Sequence, residues 1–132
     1  MGRQRPLTRA PRDLSPDGEV TALRSLCPVA NALDLVGDRW TLLLIRDLFA
    51  GKHRFGDFLA SPERIPTNIL AERLKRLEAA ALVRSEPYQL RPPRFEYHLT
   101  ERGKRLSPIL DALAVWGLDQ FPGTRLRGLR QT

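Results

Sequence analysis

The chain has 132 residues, enough for one domain with a single core, and its 42% hydrophobic and 28% charged content is that of a soluble globular protein. Its longest apolar run, near Leu42, is too short for a helical membrane span, and a lone cysteine, Cys27, excludes an internal disulfide framework and fits a reducing compartment such as the cytoplasm. The formal charge of +7 suggests an acidic partner, although residues 1–26 and 123–132 supply five of those charges.

Residues 1–22 combine Pro6, Pro11 and Pro16 with Arg3, Arg5, Arg9 and Arg12. Such a segment cannot bury enough apolar surface to order itself, so a flexible basic tail is expected. It also lacks the apolar stretch of a signal peptide. Order is expected to begin at Cys27-Pro28, with Pro28 in the first turn of a short helix whose apolar stripe of Val29, Leu33 and Val36 needs a partner surface, and which stops at Gly37. Asp38 is then a plausible N-cap for RWTLLLIRDLFA, apolar almost all round and therefore the central buried helix, ended by Gly51. The KHRF segment after it has room only for a turn or one rung of a strand. It leads into a short amphipathic helix at 55–60.

After the polar turn SPER, the run IPTNILAERLKRLEAAALV at 65–83 places Leu70, Leu74, Leu77 and Ala81 on one helical stripe. Asn68, Glu72, Lys75 and Ala79 centre on the opposite face, with Arg76 beside them. Arg73 lies near the core edge, which suits an internal ion pair, and Glu72 is ambiguous between a base contact and screening. Two extended runs follow, 83–88 and 95–99, bracketing QLRPPR. In the second, Phe95, Tyr97 and Leu99 alternate with Glu96 and His98 as a half-buried strand requires, while Pro92-Pro93 stiffens the tip. Thr100 is expected to cap a last helix carrying Leu106, Ile109, Leu110, Leu113 and Trp116, kinked at Pro108. A basic tail closes the chain at 123–132.

Helix, turn, helix and hairpin in that order make a winged helix-turn-helix, mainly α with a small β wing, whose second helix enters the DNA major groove. Charge agrees with this: residues 73–105 hold nine basic and four acidic residues, against five and six in 27–72. Positive charge thus gathers on the second helix and the hairpin, the parts that would meet phosphates. Nothing catalytic accompanies it. His53 and His98 have no metal-ligand spacing with Cys27 and are read as surface or strand residues, there is no glycine-rich phosphate loop, and the carboxylates do not converge in pairs. Neither enzyme activity, nor a cofactor, nor a metal is expected.

Several pieces together resemble the HxlR-type family of bacterial winged helix-turn-helix transcriptional regulators: Cys27-Pro28, GDRWTLLLIRDLFAG at 37–51, RF at 54 and 55, ILAERLKRLE at 69–78, PPRFEYHLTERG at 92–103, and Trp116. The resemblance implies a homodimer on a palindromic operator, with the first and last helices forming much of the subunit interface. In some relatives a thiol at the position of Cys27 senses electrophiles or oxidants, and a helix N-terminus favours the thiolate; the plainer reading of Cys27 is a small buried packing residue. Two departures stand out. Pro66 replaces the usual Ser or Thr, leaving the recognition-helix cap open between Ile65 and Thr67, and Ala81 replaces a Gly, which suggests a different exit into the wing.

The reading that results is a sequence-specific DNA-binding transcriptional regulator, a repressor, whose residues 23–122 form the DNA-binding and dimerisation domain. Thr67, Asn68, Lys75 and Arg76 face the major groove of double-stranded DNA, Asn68 being able to pair with adenine, and Arg91 and Arg94 on the wing contact phosphates or an adjacent minor groove. A small-molecule or redox effector acting through Cys27 is compatible with this, without its identity being readable. The alternative is a winged-helix protein-interaction module whose helix docks on a protein.

Overall fold

The computed structural model describes residues 23–126, so the readings for residues 1–22 and 127–132 lie outside the described residues. The elements run α1 Pro28–Val36, α2 Thr41–Phe49, α3 Phe55–Leu59, α4 Thr67–Ala79, β1 Val83–Leu90, β2 Pro93–Leu99, α5 Glu101–Lys104 and α6 Ser107–Gln120. This is a winged helix-turn-helix: α3 and α4 are the helix pair and the antiparallel β1–β2 hairpin is the wing. No helix of the described residues is long and apolar enough to cross a membrane.

The core is built where the helical stripes meet. Leu44, Ile45 and Leu48 of α2, Phe58 of α3, and Leu70, Leu74 and Leu77 of α4 are buried together, with Leu82 and Val83 closing the cluster from the start of the wing. Each such side chain contributes about 1.5–3 kcal/mol through its removal from water. α2 is central but not enclosed, since Leu42, Leu43 and Phe49 keep partial exposure. Its start is fixed as expected by Asp38, whose Oδ2 accepts from the backbone N–H groups of Trp40 (3.0 Å) and Thr41 (3.2 Å), although regular helix begins only at Thr41.

The helix of the 65–83 run stops at Ala79, so Ala81 is not part of its apolar stripe. Instead Ala81 adopts a left-handed φ of 62°. Its N–H donates to the Glu78 carbonyl (3.0 Å) and the Leu82 N–H to that of Leu77 (2.9 Å), the reciprocal pattern of a helix end that normally takes glycine at this position. The expectation of a different exit is therefore corrected: the chain leaves α4 as a glycine would, with alanine bearing the strain. Thr100 secures the exit by donating from Oγ1 to the Ala81 carbonyl (2.7 Å).

The strands are longer than expected. Pairing runs from Val83 opposite Leu99 to Leu90 opposite Pro93, leaving Arg91 and Pro92 as the tip, and the register shifts around Tyr88, between Pro87 and Gln89. Pro93 pairs because the edge of a two-stranded sheet does not need its missing donor. Phe95 is exposed rather than inward, while Tyr97 and Leu99 pack on the core. Arg54 forms the single expected rung, an isolated bridge to Glu96.

Beyond the wing, the anticipated kinked helix is two helices. Thr100 caps α5 through the Gly103 N–H (3.0 Å), the chain turns at Arg105, and Pro108 falls in the first turn of α6, where its missing N–H has no intrahelical partner to lose. Gly103 lets this turn lie against the wing, because any Cβ there would collide with the Leu82 carbonyl.

Candidate nucleic-acid interface

Opposite its buried leucines, α4 presents Thr67, Asn68, Ala71, Glu72, Lys75, Arg76 and Ala79 to solvent. Pro66 is the N-cap, with extended backbone and no side-chain cap bond, which resolves the choice left open between Ile65 and Thr67. The first-turn N–H groups beside Thr67 and Asn68 are thus not consumed by a capping side chain, and a helix N-terminus of this kind suits an anionic oxygen.

Charges on α4 divide sharply. Arg73 turns inward and pairs through Nε with Asp38 (2.8 Å), as its position on the helix suggested, and it also engages Glu72. Glu72 is therefore an ion-pair partner, not a free acceptor. Burial opposes ionisation of Asp38, but hydrogen bonds from Arg73, Thr41 and the Trp40 N–H outweigh it and hold the carboxyl well below the usual range. By contrast, Lys75, Arg76, Arg91 and Arg94 have no ion-pair partner among the described residues and are exposed. The recognition helix is fastened from one side and left unpartnered on the other.

The turn between α3 and α4 is fixed by a network the sequence did not reveal. Buried Asp47 accepts from Ser61 Oγ (2.6 Å) and Arg46 Nη2 (2.8 Å), Arg46 also pairs with Glu63 (2.8 Å), and Lys52 Nζ donates to Ser61 (2.7 Å). The bond from Arg46 lowers the Glu63 carboxyl pKa in spite of burial. Five polar residues, drawn from α2, the loop after it and the turn itself, thereby hold the angle at which α4 is presented. Arg64, exposed at φ 56° in the same turn, is a further cation at the α4 N-terminus that sequence reasoning passed over; an arginine in the turn just ahead of the recognition helix was the available signal.

Arg91 lies at the wing tip and Arg94 opposite Gln89, beside exposed Leu90. The wing is held to the helix pair by backbone and side chain. The Tyr97 N–H donates to the His53 carbonyl (2.8 Å), His53 Nδ1 lies 2.9 Å from the Tyr97 carbonyl, and Arg54 pairs with Glu96 (3.0 Å) while its guanidinium stacks 3.7 Å from the centre of the Tyr88 ring.

A second unpartnered surface is apolar. α1 buries only Val36 and exposes Val29 (64%) and Leu33, and α6 buries only Leu110 and exposes Ile109, Leu113, Val115 and Trp116 (59%). Cys27, at the N-cap of α1, is exposed with Leu26 and Val29. The expectation that Cys27 packs as a buried side chain is corrected within one chain: α1 turns its N-terminal end outward, and among the described residues no other element covers it.

The HxlR-like helix-turn-helix family model matches residues 35–124. The chain is 36% identical over 94 residues to the uncharacterised HTH-type transcriptional regulator sll1512 of Synechocystis sp., covering 71% of this chain and 70% of that protein. Among solved structures it is similar to PA1607, described as a candidate transcription factor (TM-score 0.70, 39% identity, 79% of this chain and 73% of that one). It is also similar to the redox regulator HypR in its oxidised form (TM-score 0.65, 36% identity, 76% of this chain and all of that one). Fold, recognition-helix geometry and these likenesses agree, and the chain belongs to the HxlR-like helix-turn-helix family of DNA-binding transcriptional regulators.

Proposed function

We propose that the protein acts as a homodimer on a two-fold, palindromic DNA operator and represses transcription from it. The observation that carries this reading is the exposed face of α4, where Lys75 and Arg76 lack internal partners while the other face is locked into the core. Thr67 and Asn68 stand at the helix end that reaches base edges in this motif, with Lys75 and Arg76 further along the groove, and Arg91 and Arg94 on the wing meet phosphates. The exposed apolar faces of α1 and α6 supply the dimer contact, since so much apolar surface on two helices calls for a partner. Two copies related by a two-fold axis present two α4 helices, and the operator mirrors that symmetry.

Selection of bound sequences from a random DNA pool tests this directly. The expected product is an inverted repeat bound by a species of twice the chain mass, and a promoter carrying it should fall silent when the protein is expressed. Recovery of no consensus, with elution from heparin at low salt, would instead support a protein-docking winged helix.

Cys27 carries a second reading. Cys27 is exposed at the start of α1, within the proposed dimer face; its exposure and the similarity to the redox regulator HypR support a thiol whose oxidation or alkylation alters subunit packing. Cys27→Ser should keep operator affinity and abolish its loss on treatment with diamide. Equal loss in both proteins removes the sensor role.

A further inference from the structure

The hairpin register sets Glu86 directly opposite Glu96, with His98 two residues further along β2. Two like charges at one cross-strand position weaken a sheet unless something neutralises them. Each carboxylate is half engaged. Arg54 donates through Nε (3.1 Å) and Nη2 (3.0 Å) to Glu96 Oε2 alone, and Arg84 Nη1 to Glu86 Oε1 (3.2 Å). The remaining oxygens, Glu96 Oε1 and Glu86 Oε2, turn toward His98 Nε2 at 3.5 and 3.6 Å. That nitrogen is buried and makes no hydrogen bond.

These separations are too long for hydrogen bonds, which bring N and O to about 2.7–3.2 Å. They match another geometry. Zinc bonds of about 2.0–2.1 Å in tetrahedral array set neighbouring ligand atoms roughly 3.4 Å apart. The three atoms all lie within 4.8 Å of one another. We infer that Glu86, Glu96 and His98 form a site on the wing for a divalent transition-metal ion of the zinc class, with the fourth position open to water. An imidazole with two carboxylates favours such an ion over calcium or magnesium, which take six or more oxygens.

The surroundings fit the assignment. The His53 ring lies against that of His98, tilted by 34° at 4.4 Å between centroids, and is itself fixed to the Tyr97 carbonyl, so the ligand ring is held in place. Arg54 and Arg84 orient the carboxylates as outer-shell partners do, while their charge opposes a cation and lowers its affinity. Glu86 is half exposed and gives the ion its way in. Once bound, the ion ties β1 to β2 at the like-charge pair and stiffens the wing.

The test uses full-length chelator-stripped protein, with Cys27→Ser as background so that the lone thiol contributes no binding. Calorimetric titration with zinc should give one saturable site per chain, and zinc should raise the melting temperature. Cobalt should give the visible spectrum of a nitrogen and oxygen tetrahedral site. His98→Gln and Glu86→Gln should each weaken zinc binding by at least about tenfold and remove the thermal shift. Glu86 lies on the exposed strand face, so its variant decides the matter even if His98→Gln does not fold. Absence of saturable binding up to about 100 μM zinc, or binding that survives both substitutions, overturns the assignment.

Discussion

α4 and α6 are both helices with one face turned to solvent, yet those faces have opposite chemistry. α4 buries its leucines completely and exposes Asn68, Lys75 and Arg76, whereas α6 buries Leu110 alone and exposes Ile109, Leu113, Val115 and Trp116. A cationic face without internal partners is stable in water and remains available to a polyanion; an apolar face in water is a standing free-energy cost until another apolar face covers it. The difference teaches that the periodic signal alone does not separate a helix face suited to DNA from one suited to another apolar surface. What each helix leaves uncovered does.

The comparison breaks most visibly at α6. Leu113→Glu with Trp116→Glu should raise the dimer dissociation constant by roughly a hundredfold or more, since each change enters a two-fold interface twice and an aromatic anchor alone carries about 2 kcal/mol. Sedimentation at micromolar concentration reads the result, and an unchanged mass would assign the apolar face to something other than a second copy.

The inner side of α4 comes next. Asp38→Asn keeps an acceptor for the α2 cap but removes the charge paired with Arg73; because both side chains are partly solvated, the loss of stability should be about 2 kcal/mol. The pH dependence has a definite sign. A carboxyl held below its unfolded value stabilises the fold fully above the ordinary carboxylate range, and that stability is lost as pH falls through its lowered pKa. Denaturant titrations between neutral and acid pH should therefore show a shallower decline for the variant than for the parent.

The outer side of α4 sharpens the contrast with the wing. Asn68→Ala should cost about 1–3 kcal/mol on the selected operator and little on unrelated DNA, leaving the salt slope unchanged. Arg91→Ala and Arg94→Ala should weaken both DNAs alike, each lowering the salt slope by about 1. Isotherms at several salt concentrations separate the two patterns, and an Arg94→Ala effect confined to the operator would reverse the assignment of helix to bases and wing to backbone.

The smallest effect lies at the exit from α4. Ala81 holds a left-handed backbone, a conformation that costs a residue with a Cβ about 1–2 kcal/mol, while glycine would restore chain entropy to the unfolded state. Ala81→Gly should therefore gain about 0.5 kcal/mol, read as a small rise in melting temperature.

These contrasts also show where the sequence was readable. Leu70, Leu74 and Leu77 announced the buried face of α4, Asp38 and Thr100 announced caps, and Arg73 announced an inward pair, because each signal lies within one or two turns of chain. The break at Arg105, the extra length of the wing and the exposure of Phe95 depend on how α5 and β2 pack, which local spacing does not encode. The Asp47, Ser61, Arg46 and Glu63 network joins residues up to 17 apart through polar types that read as ordinary surface. Likewise Glu86, Glu96 and His98 converge only through strand register; spacing relative to Cys27 gave no hint of them.

The joint between His53 and Tyr97 has a mechanical consequence. The loop that launches the helix pair is bonded in both directions to the strand that supports the wing, so the proposed groove-reading helix and phosphate-touching wing form one stiff caliper with a fixed gap. A caliper does not adjust to its workpiece. Whatever bending or groove widening a tight fit requires must be taken up by the double helix, and sequences that deform easily are favoured at base pairs no side chain touches.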